Sequence, residues 1–189
     1  IEVVDKDGNK VNGAKVTMTY PSSSSTEELI YDGEITIVAL PTGDYSLDIT
    51  TIPNGYILKP DCDKVQEKTL EVNDSETVTY VLLQTAEVKV TVTEEGTDEP
   101  IPNAKVEVEI GNDTNGDPVV ITGTTDPNGE VTLELPIGNN TIEITDKILE
   151  VFPGSFLYND GKEIRIPGME EGQLIQVKVA LTCAKTNVE

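Results

Sequence analysis

The chain contains few residues that could carry out acid–base or nucleophilic chemistry. It has no histidine, two cysteines and a single arginine, Arg165. Ser-His and Cys-His pairs therefore cannot form, zinc sites that combine Cys with His are excluded, and no Gly-rich phosphate loop is present. A carboxylate-pair hydrolase remains formally open, but small sandwich domains lack a deep cleft. We predict no enzymatic activity, no catalytic residue and no cofactor.

One acidic loop has the spacing of oxygen ligands for a cation. In the segment NDTNGD, residues 112–117, Asp113, Asn115 and Asp117 alternate as in a calcium-binding loop. Continuing that pattern places Thr124 where an EF-hand needs a bidentate Glu. Two interpretations remain open: a hairpin loop, which the missing Glu favours, and a weak Ca²⁺ site. We assign no metal ligand.

The two cysteines, Cys62 and Cys183, fall in different halves of the chain and do not occupy matching positions. A small secreted disulfide scaffold would contain more cysteines. A disulfide needs a Cα separation of about 4.4–6.8 Å, and we expect the two residues to lie farther apart. The sequence predicts two free thiols.

The charge is strongly acidic, with 35 Asp and Glu against 13 Lys and Arg and a net charge of −22. This balance argues against nucleic acid or an anionic membrane as a partner. It fits a soluble, self-repelling surface, and cation binding is the alternative. No apolar run approaches the roughly 20 residues of a membrane span. The start at Ile1, inside a strand-like pattern, favours a segment of a longer protein.

The chain carries the same pattern twice. GAKVTMTY and DGEITIVALPTGDYSLDI in the first half match NAKVEVEI and NGEVTLELPIGNNTIEI in the second. The offset of whole-domain size predicts two domains, 1–85 and 86–189, rather than a solenoid. At Gln84-Thr85-Ala86, a strand at 76–83 is expected to end and another at 87–94 to begin. So short a linker predicts a stiff two-domain rod.

Polar and apolar residues alternate with period two throughout the chain, with turns at Gly, Pro, Asn and Asp. Val88, Val90 and Val92 face one way, as do the apolar residues of AKVEVEI, EVTLEL and LIQVKVAL. One apolar face and one solvent-exposed face on each strand imply antiparallel sheets stacked as a sandwich. The predicted fold is all-β: two tandem Ig-like or prealbumin-like antiparallel β-sandwich domains.

The first half resembles the Cna-B (prealbumin-like, SpaA-type) repeats of Gram-positive surface proteins and pilins. The resemblance rests on VVDKDGNKVNGAKVTM, on the corner Leu40-Pro41-x-Gly43-x-Tyr45, and on Pro53-x-Gly55-Tyr56. The second half, through TDEPIPNAKVEV and TTDPNGEVTLELPIG, is equally similar to carboxypeptidase-regulatory-like sandwiches. The resemblance implies a cell-surface location, with attachment through parts of the protein not present in this sequence.

Many Cna-B domains carry a Lys–Asn isopeptide bond promoted by a buried Glu. The resemblance places the Lys and Glu positions at Val3 and Ile49 in the first domain, and at Val92 and Ile144 in the second. The last strands of both domains also lack Asn at the expected place. Aliphatic residues avoid burying charges that nothing would pair. We therefore expect neither domain to be cross-linked.

Two functions remain. The first is a monomeric stalk or spacer of an adhesin or pilus-like protein, whose partners are neighbouring domains of the same longer protein. The second is a module that binds a polysaccharide or a host protein through residues 145–166. That segment contains both Phe residues, Phe152 and Phe156, together with Tyr158 and Arg165, and a functional loop on a rigid scaffold is a common arrangement.

Overall fold

The computed structural model describes residues 1–144 and the backbone of the strands at 157–158, 162–169, 175–181 and 183–184; side chains are described up to residue 138. Every regular element in this part of the chain is a β-strand. The prediction of an all-β fold is confirmed. The chain divides into two compact units, Ile1–Gln84 with Asn112–Asp117, and Thr85–Gly111 with Pro118–Glu189. The limits 1–85 and 86–189 stay a prediction beside this division.

Unit 1 contains two sheets. The strands are β1 (Glu2–Asp5), β2 (Lys15–Thr19), β3 (Ser25–Leu29), β4 (Gly43–Thr51), β5 (Tyr56–Leu58), β6 (Val65–Leu70) and β7 (Thr79–Glu94). The first sheet is antiparallel, in the order β3-β2-β4-β6. The second sheet contains β5, the start of β7, and β1, with β5 antiparallel and β1 parallel to β7.

Unit 2 repeats this plan around the second part of β7. Its further strands are β8 (Lys105–Asn112), β9 (Pro118–Thr124), β10 (Glu130–Pro136), β11 (Gly138–Ile144), β12 (Leu157–Tyr158), β13 (Lys162–Met169), β14 (Ile175–Leu181) and β15 (Cys183–Ala184). In the first sheet, β10 pairs antiparallel and β14 pairs parallel with β7. The second sheet has the order β13-β11-β8-β9, and a short pair joins β12 to β15.

Two features differ from the expectation. The predicted break between strands 76–83 and 87–94 is wrong, because β7 runs without interruption over 16 residues. Gln84 pairs with Tyr56, and the next residue, Thr85, already pairs with Pro136, so the ladder has a partner on both sides of the predicted linker. In addition, β7 has a parallel neighbour in each unit, β1 in unit 1 and β14 in unit 2, although most other pairs are antiparallel.

The alternating residues form one apolar core in each unit. Val88, Val90 and Val92 are fully buried, which confirms their predicted common face. The core of unit 2 also contains Ala86, Ile101, Ala104, Val106, Val108, Leu133 and Leu135. The core of unit 1 contains Val3, Val11, Ala14, Val16, Met18, Ile30, Tyr45, Leu47, Ile49, Val78, Tyr80 and Leu82. The predicted apolar face of β14 lies beyond the described side chains.

A glycine is required at matching places in the two units. Gly33 and Gly129 both have positive φ, 71° and 73°, a conformation that costs a side-chain-bearing residue energy. A Cβ at Gly129 would lie 2.5 Å from the carbonyl oxygen of Val92, and one at Gly33 would lie 2.4 Å from the Cβ of Lys10. Each glycine brings the following acidic residue, Glu34 or Glu130, against the first strand of its unit.

Candidate functional site

The positions that the resemblance assigns to an isopeptide bond lie in the apolar cores. Val3 and Val92 are fully buried and Ile49 is 1% exposed. Val3 pairs with Tyr80 of β7, and Ile49 pairs with Val16 of β2. Among the described side chains, the buried polar or charged residues are three threonines, Thr85, Thr93 and Thr125. Ile144 ends β11 where only the backbone is described.

Two tyrosines bring polar atoms into the core of unit 1, and both atoms are satisfied. The hydroxyl of Tyr80 donates to the carbonyl of Leu47 at 2.7 Å, and that of Tyr45 donates to the carbonyl of Pro41 at 2.6 Å. Burial raises the pKa of both phenols, that of Tyr80 well above its ordinary value. The Tyr45 bond fixes the Leu40-Pro41-x-Gly43 corner, which explains why this Tyr follows the Gly by two residues.

The acidic loop at 112–117 is a tight hairpin turn closed by its first aspartate. Oδ1 of Asp113 accepts the backbone N–H groups of Asn115 and Asp117, each at 2.9 Å. The backbone N–H of Asp113 donates to the carbonyl of Asp117 at 2.8 Å. These hydrogen bonds to backbone and to Asn115 lower the pKa of Asp113. The loop geometry is that of the hairpin interpretation; the Ca²⁺ alternative stays untested.

Sequence reasoning missed that this turn occurs three times within residues 1–144. Asp5 and Asp126 make the same contacts: Oδ1 of each accepts the N–H groups of the residues two and four positions later, at 2.8–2.9 Å. The shared sequence is Asp-x-Asp/Asn-Gly-x, with the Gly at positive φ in each case. The side-chain amide of Asn9 lowers the pKa of Asp5, and the N–H of Glu130 lowers that of Asp126. The sequence signal for these turns is an Asp followed two residues later by Asp-Gly or Asn-Gly.

An open groove of about 630 Å³ lies along one side of unit 1. Residues 34–40 form one wall, residues 71–78 form the other, and Ile1 and Glu2 close one end. Ile35, Ile37 and Leu40 are half-buried against the core, whereas Val38 and Val72 are both 77% exposed. Residues 35–42 of the first wall and residues 71–78 of the second wall do not belong to any β-strand.

Cys62 is a free, half-buried thiol in unit 1. Its sulfur lies 3.9 Å from the carbonyl oxygen of Thr79 and 4.0 Å from Nε2 of Gln66. Burial raises the pKa of this thiol, so little of it is the reactive thiolate near neutral pH. Cys183 lies in β15, where only the backbone is described. Two free thiols therefore stay a prediction.

The segment predicted for ligand binding, 145–166, lies largely outside the described residues. Phe152 and Phe156 fall in the undescribed part. Tyr158 and Arg165 belong to β12 and β13, of which the backbone alone is described. Within the described part of the chain, no group of three or more His, Cys, Asp or Glu residues is placed to hold a metal ion, and no helix is long and apolar enough to cross a membrane.

Comparison with known proteins gives structural similarities at low identity. No family model matches the chain, and no curated protein matches it. Among solved structures, the Bacillus anthracis TIE protein is 20% identical, with 96% of this chain and 33% of that chain covered and a TM-score of 0.43. A streptococcal ancillary pilin is 17% identical, with coverages of 99% and 61% and a TM-score of 0.41.

The shaft pilin SpaA of Lactobacillus rhamnosus GG is 12% identical, with 100% of this chain and 97% of that chain covered and a TM-score of 0.38. The chain spans about a third of the length of the first of these proteins and about three fifths of the second. The chain is thus similar in structure, at 12–20% identity, to the Bacillus anthracis TIE protein and to pilins of Streptococcus and Lactobacillus.

Proposed function

We propose that this chain is a non-enzymatic, load-bearing spacer segment of an extracellular surface protein, and that neither unit is cross-linked by an isopeptide bond. The observation that carries the proposal is a parallel pairing with β7 in each unit. In unit 1, β7 lies beside the first strand, β1, and in unit 2 it lies beside the last long strand, β14. Aliphatic side chains at Val3, Ile49 and Val92 support the part of the proposal that concerns cross-linking.

The pairing matters because a spacer is pulled at its two ends. In unit 1, tension enters through Ile1 and leaves through Gln84, so β1 and β7 are pulled in opposite directions along their own axes. Four residue pairs, Glu2–Asp5 with Thr79–Leu82, are then loaded together in shear. Bonds loaded together resist more force than bonds opened one at a time. The parallel ladder therefore acts as a mechanical clamp.

Unit 2 has a longer clamp of the same kind. Seven pairs join Val88–Glu94 of β7 to Ile175–Leu181 of β14 in parallel. On the other side, β10 adds an antiparallel ladder from Glu130–Pro136 to Thr85–Thr91. We expect unit 2 to yield at a higher force than unit 1, because more backbone hydrogen bonds must break at once.

The cross-link part of the proposal is tested by intact-protein mass spectrometry. The measured mass should equal the mass calculated from the sequence, because the side chains of Val3, Ile49 and Val92 supply no amine or carboxyl group. A mass short by one ammonia for either unit would overturn this part. Stable resistance to boiling in denaturant, as expected of a cross-linked domain, would contradict it as well.

The spacer part is tested by pulling single molecules from both ends. The unfolded segment Ile1–Gln84 of unit 1 should have a full length of roughly 280–300 Å, at about 3.3–3.6 Å per residue, so the gain on unfolding is that length less the folded end-to-end distance. An internal cross-link would shorten that extension. Two separate unfolding events, the weaker one from unit 1, support the proposal. The proposal would be contradicted if both units unfolded at forces that cannot be distinguished from spontaneous thermal unfolding.

A second function is a binding module for a polysaccharide or a host protein. The concentration of both Phe residues and the only Arg of the chain in residues 145–166 favours it. A glycan and matrix-protein binding screen, run with the parent chain and with Phe156→Ala, tests it. Saturable binding that the substitution removes would establish the binding module in place of a pure spacer.

A further inference from the structure

The internal repeat shows what the groove of unit 1 lacks. In unit 2, the residues of β7 that precede Val92 lie between two strands: Thr85–Thr91 pair with β10, and Val88–Thr91 also pair with β14. In unit 1, Val3 occupies the position of Val92. The bridge from Glu2 to Glu34 corresponds to the pair Thr91–Glu130. The residues equivalent to Thr85–Lys89 would therefore precede Ile1, in the groove between residues 34–40 and 71–78.

Both groove walls are hydrogen-bonded to the first two residues, Ile1 and Glu2. Ile1 and Ile35 exchange both backbone hydrogen bonds, at 2.9 Å each, and Glu2 donates to the carbonyl of Val78 at 2.8 Å. Beyond these bonds the ladder stops: within the described residues, no backbone hydrogen bond involves Thr36–Leu40 or Ser75–Thr77. Unpaired backbone beside a core is the surface to which a strand adds, and here it reaches as far as the bend at Ala39, where φ is 60°.

We propose that this groove is the seat of a β-strand formed by residues directly before Ile1, which continues β1 in the way that β7 continues from unit 1 into unit 2. This inference rests on the proposed spacer function. The strand would run antiparallel to residues 35–38, which precede the bend at Ala39, and parallel to residues 74–78. Its inward residues would be the second and fourth before Ile1, the places that Val88 and Ala86 take in unit 2, both of which are buried.

Charge adds to the specificity of the site. Glu34, Glu71, Asp74 and Glu76 surround the groove, with Lys68 as the basic residue of its lining. An outward-facing lysine directly before Ile1, as Lys89 in unit 2, complements these carboxylates. The seated strand also lengthens the parallel ladder between β1 and β7, so it strengthens the clamp of unit 1.

The register predicts which amides the strand protects. Since Ile1 and Ile35 form a hydrogen-bonded pair, the next such pair joins Ile37 to the second residue before Ile1. In the parallel ladder, the residue directly before Ile1 accepts from the N–H of Val78. The N–H groups of Thr36 and Thr77 point away from the strand and serve as internal controls.

The experiment extends the chain by six residues fused directly before Ile1, with the sequence QTAEVK of residues 84–89. The control extension, TAEVKQ, has the same composition but shifts the register by one residue, so its apolar residues face the solvent. We expect the matched extension to slow amide exchange at Ile37 and Val78 by about tenfold or more, with little change at Thr36 and Thr77. The slipped extension should slow neither.

Equal protection by both extensions, or none by either, would overturn the proposal. If the fused variant is insoluble, the acetylated free peptide QTAEVK added to the parent chain replaces it, and absence of protection at Ile37 and Val78 at saturating peptide counts against the proposal in the same way. The mass and pulling measurements on the parent chain do not depend on this result, so failure of the groove proposal is distinguishable from failure of the spacer function.

Discussion

Removing the hydroxyl of Tyr80 tests how the core of unit 1 tolerates a polar atom. In Tyr80→Phe, the ring stays in place and the carbonyl of Leu47 loses the donor at 2.7 Å. A typical intramolecular hydrogen bond contributes about 1 kcal/mol, and an unsatisfied buried acceptor costs about 1–3 kcal/mol. We therefore expect the free energy of unfolding at pH 7 to fall by about 1–2 kcal/mol, measured by urea titration.

The pH dependence of this difference is more diagnostic. Burial raises the pKa of Tyr80 in the folded state, whereas the unfolded phenol titrates near about pH 10. A raised folded pKa stabilises the fold fully below the unfolded pKa and loses that contribution as the pH rises toward the folded pKa. Above about pH 10 the wild type loses about 1.4 kcal/mol per pH unit relative to Tyr80→Phe, so the two stabilities should converge near about pH 11.

Urea titrations of both proteins between pH 8 and pH 11 measure the convergence, and the other titrating groups cancel in the difference. Tyr45→Phe is the control for loss of a phenol whose bond, to Pro41, lies nearer the surface. A difference that stays constant up to pH 11 would refute the claim that the Tyr80 hydroxyl is held un-ionised by burial. A wild type no more stable than Tyr80→Phe at pH 7 would refute the hydrogen-bond argument.

Three further outcomes are expected. Ile49→Ala, at a 1% exposed core position, should lower the free energy of unfolding by about 2–5 kcal/mol, whereas Val65→Ala, at a 46% exposed position, should change it by less than about 0.5 kcal/mol. Asp126→Ala should destabilise unit 2 above about pH 4, because the folded-state pKa of Asp126 is lowered. As the pH falls further, the stability of the variant should approach that of the wild type. A stability difference that does not change with pH in thermal melts under acidic conditions would contradict this. Alkylation without reductant should label both Cys62 and Cys183, with Cys62 slower in the folded protein than in urea; failure to label either would indicate a disulfide.

Much of the fold followed from local sequence patterns. Period-two alternation predicted the buried faces of Val88, Val90 and Val92, because side-chain direction along a strand is a local property of the backbone. The repeat predicted equivalent positions in the two halves, and these aligned in the structure at Glu34 and Glu130. The aliphatic positions Val3 and Ile49 were predicted to be core residues and are buried.

Other features could not be predicted from local patterns, because strand pairing joins residues far apart in sequence. Gln84-Thr85-Ala86 was predicted as a linker, yet β7 continues through it, since Tyr56 and Pro136 supply ladder partners that the local sequence does not reveal. The three aspartate turns, by contrast, carry a local sequence signal, Asp-x-Asp/Asn-Gly, and their hydrogen bonds are local as well.

The sequence by itself determined the strand class, the two-fold repetition and the apolar character of both cores, because each depends on residue type and short-range spacing. The tertiary structure alone decided that β7 pairs in parallel with β1 in unit 1 and with β14 in unit 2, and that residues 36–40 form no ladder while their counterpart β10 is a strand. The physical reason is that alternation sets which way a side chain points, whereas a strand exists only where a second backbone satisfies its hydrogen bonds.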